Sequence, residues 1–344
     1  MNIINELNDW IQTCNSKDFI EAREVNGLRG IYAKKDLEKG DLIVKIPLEY
    51  IISPSRIYGI SDISQIAKYK ISNNFNMAVY LMYLYLSDEN SYWKPFLNIL
   101  NFDDRSSSIF LSDKDKQHLK YTSFMNVHSR FNYLNYKKAV DKELDLIIEL
   151  LSRETIRFPK ELNTKDLTDL YYRCRNMIGS RVFSATDRYG IKSTVSVPIA
   201  DLFNYSYDHN TTWGYSDETN CFEVKTIVPI RKGDQIYDTY GHMLENNQLY
   251  LYYGFTFKNN YNGHVPIKTS KGVYNFARFY PGSKLPEINN DDLLKISNKI
   301  KKLKKCNTIK YLNYNINNLV ESDIGILESI FEEYLKNKRH YITN

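Results

Sequence analysis

Glycine is scarce in this sequence: 14 of 344 residues, about 4%, where the average is near 7%. A glycine inside a strand-like pattern therefore points to a conformational or packing need at that position. Cysteine is sparse too. Cys14, Cys174, Cys221 and Cys306 show no paired spacing, which excludes a disulfide framework and a thiolate zinc cluster and points to a reducing compartment. Long apolar runs are missing: the longest, Ala78 to Leu86, is less than half a membrane span and reads as a core helix. The opening Met1-Asn2-Ile3-Ile4-Asn5-Glu6 has neither the basic region nor the apolar stretch of a signal peptide. A soluble protein of the cytoplasm or nucleus, with no membrane partner, is expected. Strong charge is absent as well. The net charge of +5 is mild for this length, whereas nucleic-acid binders concentrate Lys and Arg far more, so nucleic acid is not the expected partner.

What is present is ordinary globular material, 42% apolar and 25% charged, enough for one large domain or two smaller ones. Tyrosine is abundant, at 29 copies, so a single tyrosine is a weak signal of function. Ile3, Ile4, Leu7, Trp10 and Ile11 repeat at helical spacing. Asn26-Gly27 marks a turn, Arg29 to Ala33 a strand, Glu38-Lys39-Gly40-Asp41 a second turn, and Leu42 to Ile46 a strand stopped by Pro47. The two strands are expected to form a hairpin. From Ser53 to about Ile178 the periodicity is helical, with Met77, Leu81, Leu84 and Tyr85 as one apolar face and Ser91 to Leu100 closing that helix. His118 and His128 fall here without a Cys or carboxylate at ligand spacing, so no metal is expected. Near the end, Leu293, Ile296, Ile300 and Leu303 define a helix face, with Lys299 to Lys305 mostly around the other side as a solvated surface. Ile324 to Leu335 gives one more helix.

The most informative stretch is Val197 to Phe257. Val197-Pro198-Ile199-Ala200-Asp201-Leu202-Phe203-Asn204-Tyr205 reads as a short apolar strand ending on polar side chains, which places Asp201 and Asn204 at a sheet end facing a ligand. A Thr/Trp/Tyr hairpin follows, then a second strand, Gln235-Ile236-Tyr237-Asp238-Thr239-Tyr240, and later Tyr253-Gly254-Phe255.

Pro198 to Tyr205 resembles the second signature of SET-domain methyltransferases, and Gln235 to Gly241 resembles their catalytic tyrosine segment. The branch it resembles contains the Rubisco large-subunit lysine methyltransferase and the actin histidine methyltransferase. Gly27 to Pro47 resembles the first SET motif, with Leu28 where a glycine is usual. Ser180-Arg181-Val182-Phe183 resembles the branch's Ser-Arg-x-Phe turn, and Ser91 to Leu100 resembles part of its helical insertion. The resemblance implies an α+β fold of SET-domain β-sheets with a pseudoknot, interrupted by a helical insertion at about 54–178 and followed by a short helical C-terminal region. The SET domain would span 1–264 and the substrate-recognition-like region 265–344.

The resemblance implies S-adenosylmethionine as cofactor, held by Leu28, Arg29, Gly30, Arg181, Asp201, Asn204, Tyr205, Tyr240 and Phe255. Arg181 would grip the methionine carboxylate through its guanidinium fork, and Gly30 would let the backbone approach the cofactor. Tyr240 would be the catalytic hydroxyl, with Phe183, Ala200 and Tyr253 on the substrate side. Tyr205 stands where the family has histidine. The implied activity is methyl transfer to a protein lysine by a monomeric enzyme. A protein-histidine methyltransferase of the same fold, or a degenerate SET-fold peptide binder, are the alternatives. Phe183 and small Ala200 favour lysine, because an apolar tube strips water from an ammonium and packs its methylenes, whereas an imidazole gains more from a polar partner.

Overall fold

The computed structural model of the protein describes residues 3–11, 16–87, 92–186, 192–280, 283, 285, 287–307 and 313–342. Cys14 and Ser91 lie outside the described residues. In chain order the elements are α1 (Ile3–Trp10), β1 (Ile20–Val25), β2 (Leu28–Ala33), β3 (Leu42–Pro47), α2 (Asn73–Leu86), α3 (Lys94–Ile99), α4 (Asp113–Leu119), α5 (Tyr133–Ser152) and α6 (Thr164–Ser180). Then come β4 (Val182–Thr186), β5 (Lys192–Ser196), β6 (Asn204–Tyr205), β7 (Thr211–Ser216), β8 (Cys221–Thr226), β9 (Gln235–Asp238), α7 (Asn246–Tyr253), β10 (His264–Thr269), β11 (Gly272–Ala277), α8 (Asn290–Asn307) and α9 (Tyr314–Ile342). They gather into two compact units, Met1–Asp103 with Glu143–His242 and Asp104–Lys142 with Met243–Asn344. Compactness thus divides the chain elsewhere than at residue 264.

In the first unit the strand order of the main sheet is β1-β2-β9-β6. The β1–β2 hairpin turns on Asn26 and Gly27, with φ of 54° and 76°, the pair of positive angles a two-residue type I′ turn demands. The expected pairing of Arg29–Ala33 with Leu42–Ile46 does not occur. The Glu38–Asp41 turn carries the chain out of one sheet and into another, where β3 joins β8 in the order β3-β8-β7. β9 enters between β2 and β6, antiparallel to β2 and parallel to β6. A chain reading locates such strands but not these distant partners.

In the first unit the helical insertion contributes α2. Ser72 caps its start by accepting from Phe75 N–H at 3.0 Å, and nine of its fourteen residues are buried, as a helix inside a core requires. Tyr85 departs from the expected face: it is 41% exposed, and the Arg173 guanidinium lies 5.7 Å from its ring. Glu143 sits buried against α6, accepting from Tyr171 Oη at 2.6 Å and Arg175 Nε at 3.0 Å.

The second unit has its own core, with Leu119, Phe124, Tyr250, Val265, Ile296, Leu303, Leu319 and Leu327 among its buried residues. Leu293, Ile296, Ile300 and Leu303 are buried as their spacing predicts. The β10–β11 hairpin is an addition to the helical region expected here. Its turn is Ser270-Lys271, and β11 opens on Gly272, whose φ of 116° suits glycine.

Candidate active site

The stretch expected to be a strand, Val197 to Leu202, is bent instead. Ile199 has φ 69° and ψ −50°, and Ala200 N–H bonds to Pro198 O at 2.8 Å. This is a γ-turn of positive φ, a conformation a β-branched residue adopts at a cost of about 1–3 kcal/mol. Ile199 is fully buried, so packing holds the bend. The chain then forms one 3-10 turn over Ala200–Leu202 before β6 begins at Asn204. The bend turns Asp201 inward, to 9% exposure.

Asp201 meets Arg181, the C-cap residue of α6. Arg181 Nη1 lies 3.3 Å from Asp201 Oδ2 and donates to the Asp201 backbone oxygen at 3.0 Å. Burial pushes the Asp201 carboxyl up, while Arg181 and Arg29 pull it back. Arg29, on β2, donates to Ile99 O at 3.3 Å. Burial and then the like charge of Arg181 lower the Arg29 guanidinium, with Asp201 opposing. Two guanidinia facing one carboxylate leave a local surplus of positive charge. Within the ion pair, Arg181 Nε and Asp201 Oδ1 are buried without a hydrogen-bond partner among the described residues.

Asn204 Nδ2 donates to Arg29 O at 2.9 Å, tying β6 to β2. Tyr240 Oη donates to Phe203 O at 2.9 Å. The Tyr205 ring lies 5.3 Å from the Tyr240 ring at an interplanar angle of 39°, so the residue replacing histidine packs on the expected catalytic tyrosine. Arg29, Arg181, Asp201, Asn204, Tyr205 and Tyr240 thus form one cluster around β2, β9 and β6. Leu28 is at the hairpin end and 73% exposed. At Gly30 a Cβ would overlap the Gln235 amide, with Gln235 Cδ at 2.9 Å.

Phe183 and Ala200 are buried. The Phe183 ring meets Trp213 edge-on at 5.0 Å and Phe222 at 5.2 Å, contacts of roughly 0.5–1.5 kcal/mol each beyond burial. A cavity of about 680 Å³ in the same unit is lined by Phe222, Val195, Ile51 and Arg56 among others. None of the twelve expected residues lines it. Tyr253 and Phe255 belong to the second unit. Tyr253 ends α7, and its ring centroid is 6.3 Å from that of Phe255.

Two residues near the cluster escaped the sequence reading. Asp238 is 2% exposed, and the alternation of Gln235-Ile236-Tyr237-Asp238, which puts it on the face of Ile236, was the available signal. Trp213 carried no distinguishing signal beyond its aromatic strand. No group of three or more His, Cys, Asp or Glu is placed to hold a metal among the described residues. No described helix is long and apolar enough to cross a membrane.

Residues 28–241 match the SET domain family, and the chain belongs to that family. It is 24% identical over 262 residues to N-lysine methyltransferase setd6 of Salmo salar, covering 72% of this chain and 56% of that protein. It is 25% identical over 259 residues to the ribulose-1,5 bisphosphate carboxylase/oxygenase large subunit N-methyltransferase of Pisum sativum, covering 72% and 50%. The chain thus spans about half the length of these curated relatives. The fold is similar to that of the SET domain of LSMT bound to lysine and AdoHcy, with TM-score 0.73, 18% identity, and coverage of 98% of this chain and 91% of that one.

Proposed function

We propose that this protein is an S-adenosylmethionine-dependent methyltransferase acting on the side-chain amine of a lysine in a protein substrate. The observation that carries the reading is the single cluster of Arg29, Arg181, Asp201, Asn204 and Tyr240, drawn from four distant parts of the chain. The names of the curated relatives support it, as does the fold's likeness to Rubisco LSMT bound to sinefungin and monomethyllysine.

The cofactor fits the cluster on its own terms. A methionine end carries a carboxylate and an ammonium, and the Arg181–Asp201 pair offers one buried, unpartnered donor and one buried, unpartnered acceptor. Bound there, the cofactor supplies an electrophilic methyl carbon with a neutral thioether as leaving group. Asn204 fixes the Arg29 backbone, so β2 keeps its place beside the site.

Phe183, Ala200 and Tyr240 would manage the acceptor. Lysine in water holds its proton to a pKa near 10.4, and its nitrogen must be uncharged to form the N–C bond. An apolar wall disfavours the ammonium. Phe183, braced by Trp213 and Phe222, suits that wall, and small Ala200 leaves room for a long stem. Tyr240 has committed its proton to the Phe203 carbonyl. With that proton engaged, the Tyr240 hydroxyl would accept a hydrogen bond from an amine N–H and so orient the acceptor nitrogen. Neither Phe183 nor Ala200 offers the polar partner that would fix an imidazole tautomer.

The test is incubation with methyl-labelled S-adenosylmethionine and two peptide libraries, one with a fixed central lysine and one with a fixed central histidine. Label should enter the lysine library. No incorporation together with no calorimetric binding of the cofactor would overturn the proposal.

A further inference from the structure

Asp238 is a carboxyl where the strand pattern calls for an apolar side chain. The buried positions of β9 are Ile236 and Asp238. Burying a carboxyl without a cation is costly, and the groups that offset its burial are N–H donors: the Thr239 amide, 2.7 Å from Oδ1, and the Trp213 indole. Facing Asp238 from β7 is Trp213, and paired with it on β6 is Tyr205. Neither carries charge near neutral pH.

The two donors lead to Tyr240 and to Phe183. Thr239 opens the turn that bears Tyr240, and its Oγ1 accepts from Gly241 N–H at 3.2 Å. The Trp213 ring carries Phe183 edge-on and stacks on Phe222 at 5.6 Å. The Asp238 backbone oxygen also accepts from Ser206 N–H at 3.1 Å, fixing the strand next to Tyr205.

We propose that Asp238 is a positioning residue that couples the Tyr240 turn to the Phe183 wall through Trp213. One buried carboxyl then sets both the hydroxyl and the apolar wall, a role that rests on the methyltransferase reading above. The ionised carboxylate binds both donors by charge-assisted bonds. Protonated, it accepts more weakly and must place an O–H of its own. Burial moves this change of state to about pH 7.

Nuclear magnetic resonance of the whole protein reads the coupling without turnover. Three tryptophans give three indole N–H signals, and Trp213→Phe identifies the one from Trp213. That signal and the Thr239 amide should shift together with pH, with a midpoint near 7, and both should stand still in Asp238→Asn. Turnover on the central-lysine library gives the second reading. Asp238→Leu fills the space but accepts neither N–H, and should lose roughly tenfold or more in turnover through misplacement, with its melting temperature unchanged or higher. Asp238→Asn keeps an acceptor oxygen and should recover most of that loss. The ratio of wild-type to Asp238→Asn turnover should rise through neutral pH, a ratio from which the lysine's own ionisation cancels. Independent or absent titration of Trp213 and Thr239, full turnover in Asp238→Leu, or turnover lost in step with melting temperature would each overturn the proposal. Joint titration with no transfer to any library and no calorimetric binding of the cofactor would uphold the Asp238–Trp213 coupling and refute the methyltransferase reading.

Discussion

Arg181 donates to the backbone oxygen of Asp201 and, through the same Nη1, stands 3.3 Å from its carboxylate, so the C-terminus of α6 is locked onto the turn that follows Ile199. The pair is structural and, by the proposal, also the seat of the cofactor's amino-acid end. Arg181→Ala leaves the buried Asp201 without its main partner, which costs about 3–5 kcal/mol for a pair of this kind. Losing a charge-assisted bond should also weaken S-adenosylmethionine binding by about 1.5–3 kcal/mol, roughly ten- to a hundredfold. Asn204→Ala releases the Arg29 backbone and should weaken binding in the same sense. Calorimetry decides it, and unchanged affinity in both variants would sink the cofactor assignment.

Tyr240→Phe isolates the hydroxyl. The Phe203 carbonyl loses its donor, at a stability cost of about 1 kcal/mol, while the ring keeps its packing against Tyr205. Turnover should fall on the order of 100-fold, the scale of a positioned acid–base group, with cofactor affinity held. Full activity in this variant would reduce Tyr240 to a packing residue.

Glu245, just before α7, carries a pH dependence confined to the second unit. Burial pushes its carboxyl up to about 7, the neighbouring Asp323 pushes the same way, and the His264 N–H and Arg130 oppose. The folded pKa lies above the unfolded value near 4.3, so the folded state holds the proton longer. Its contribution to stability is full below about pH 4.3 and is lost as pH rises towards 7. Denaturant unfolding at pH 5 and pH 8 should show wild type losing stability relative to Glu245→Gln. A gap that widens in the opposite direction contradicts the assignment.

Gly254 tests a simpler point. It caps α7 in the left-handed region at φ 78°, and a Cβ there would stand 3.2 Å from Ser106 Oγ and 3.4 Å from Ser107 Cα. Gly254→Ala should cost about 1–2 kcal/mol from backbone strain, with crowding in addition. A melting temperature equal to wild type would refute it.

Much of this was legible in the chain. The Thr/Trp/Tyr stretch was read as a hairpin, which β7 and β8 form, and the α8 face followed its apolar spacing. Arg181, Asp201, Asn204 and Tyr240 could be named because each stands in a recognisable local pattern, and the fold then brings them together. What stayed hidden depends on tertiary constraint. Ile199 takes a γ-turn that no β-branched propensity suggests, because burial on all sides over-determines it. β2 pairs with β1 and β9, not with β3, because the partner is chosen by a sheet assembled across about 200 residues of chain. Gly30 answers to Gln235, a neighbour far away in sequence. Asp238 was visible only as an odd residue in an alternating strand, and its weight comes from Trp213, which sequence alone cannot place beside it.

By the proposal, Phe183 and Ala200 shape the site for a lysine. Mass spectrometry of the peptides modified from the mixed libraries tests it most directly, by assigning the methyl group to a residue. Methyl-lysine is the expected product, falling on the order of 100-fold in Tyr240→Phe. Methyl-histidine with lysine left unmodified would contradict it.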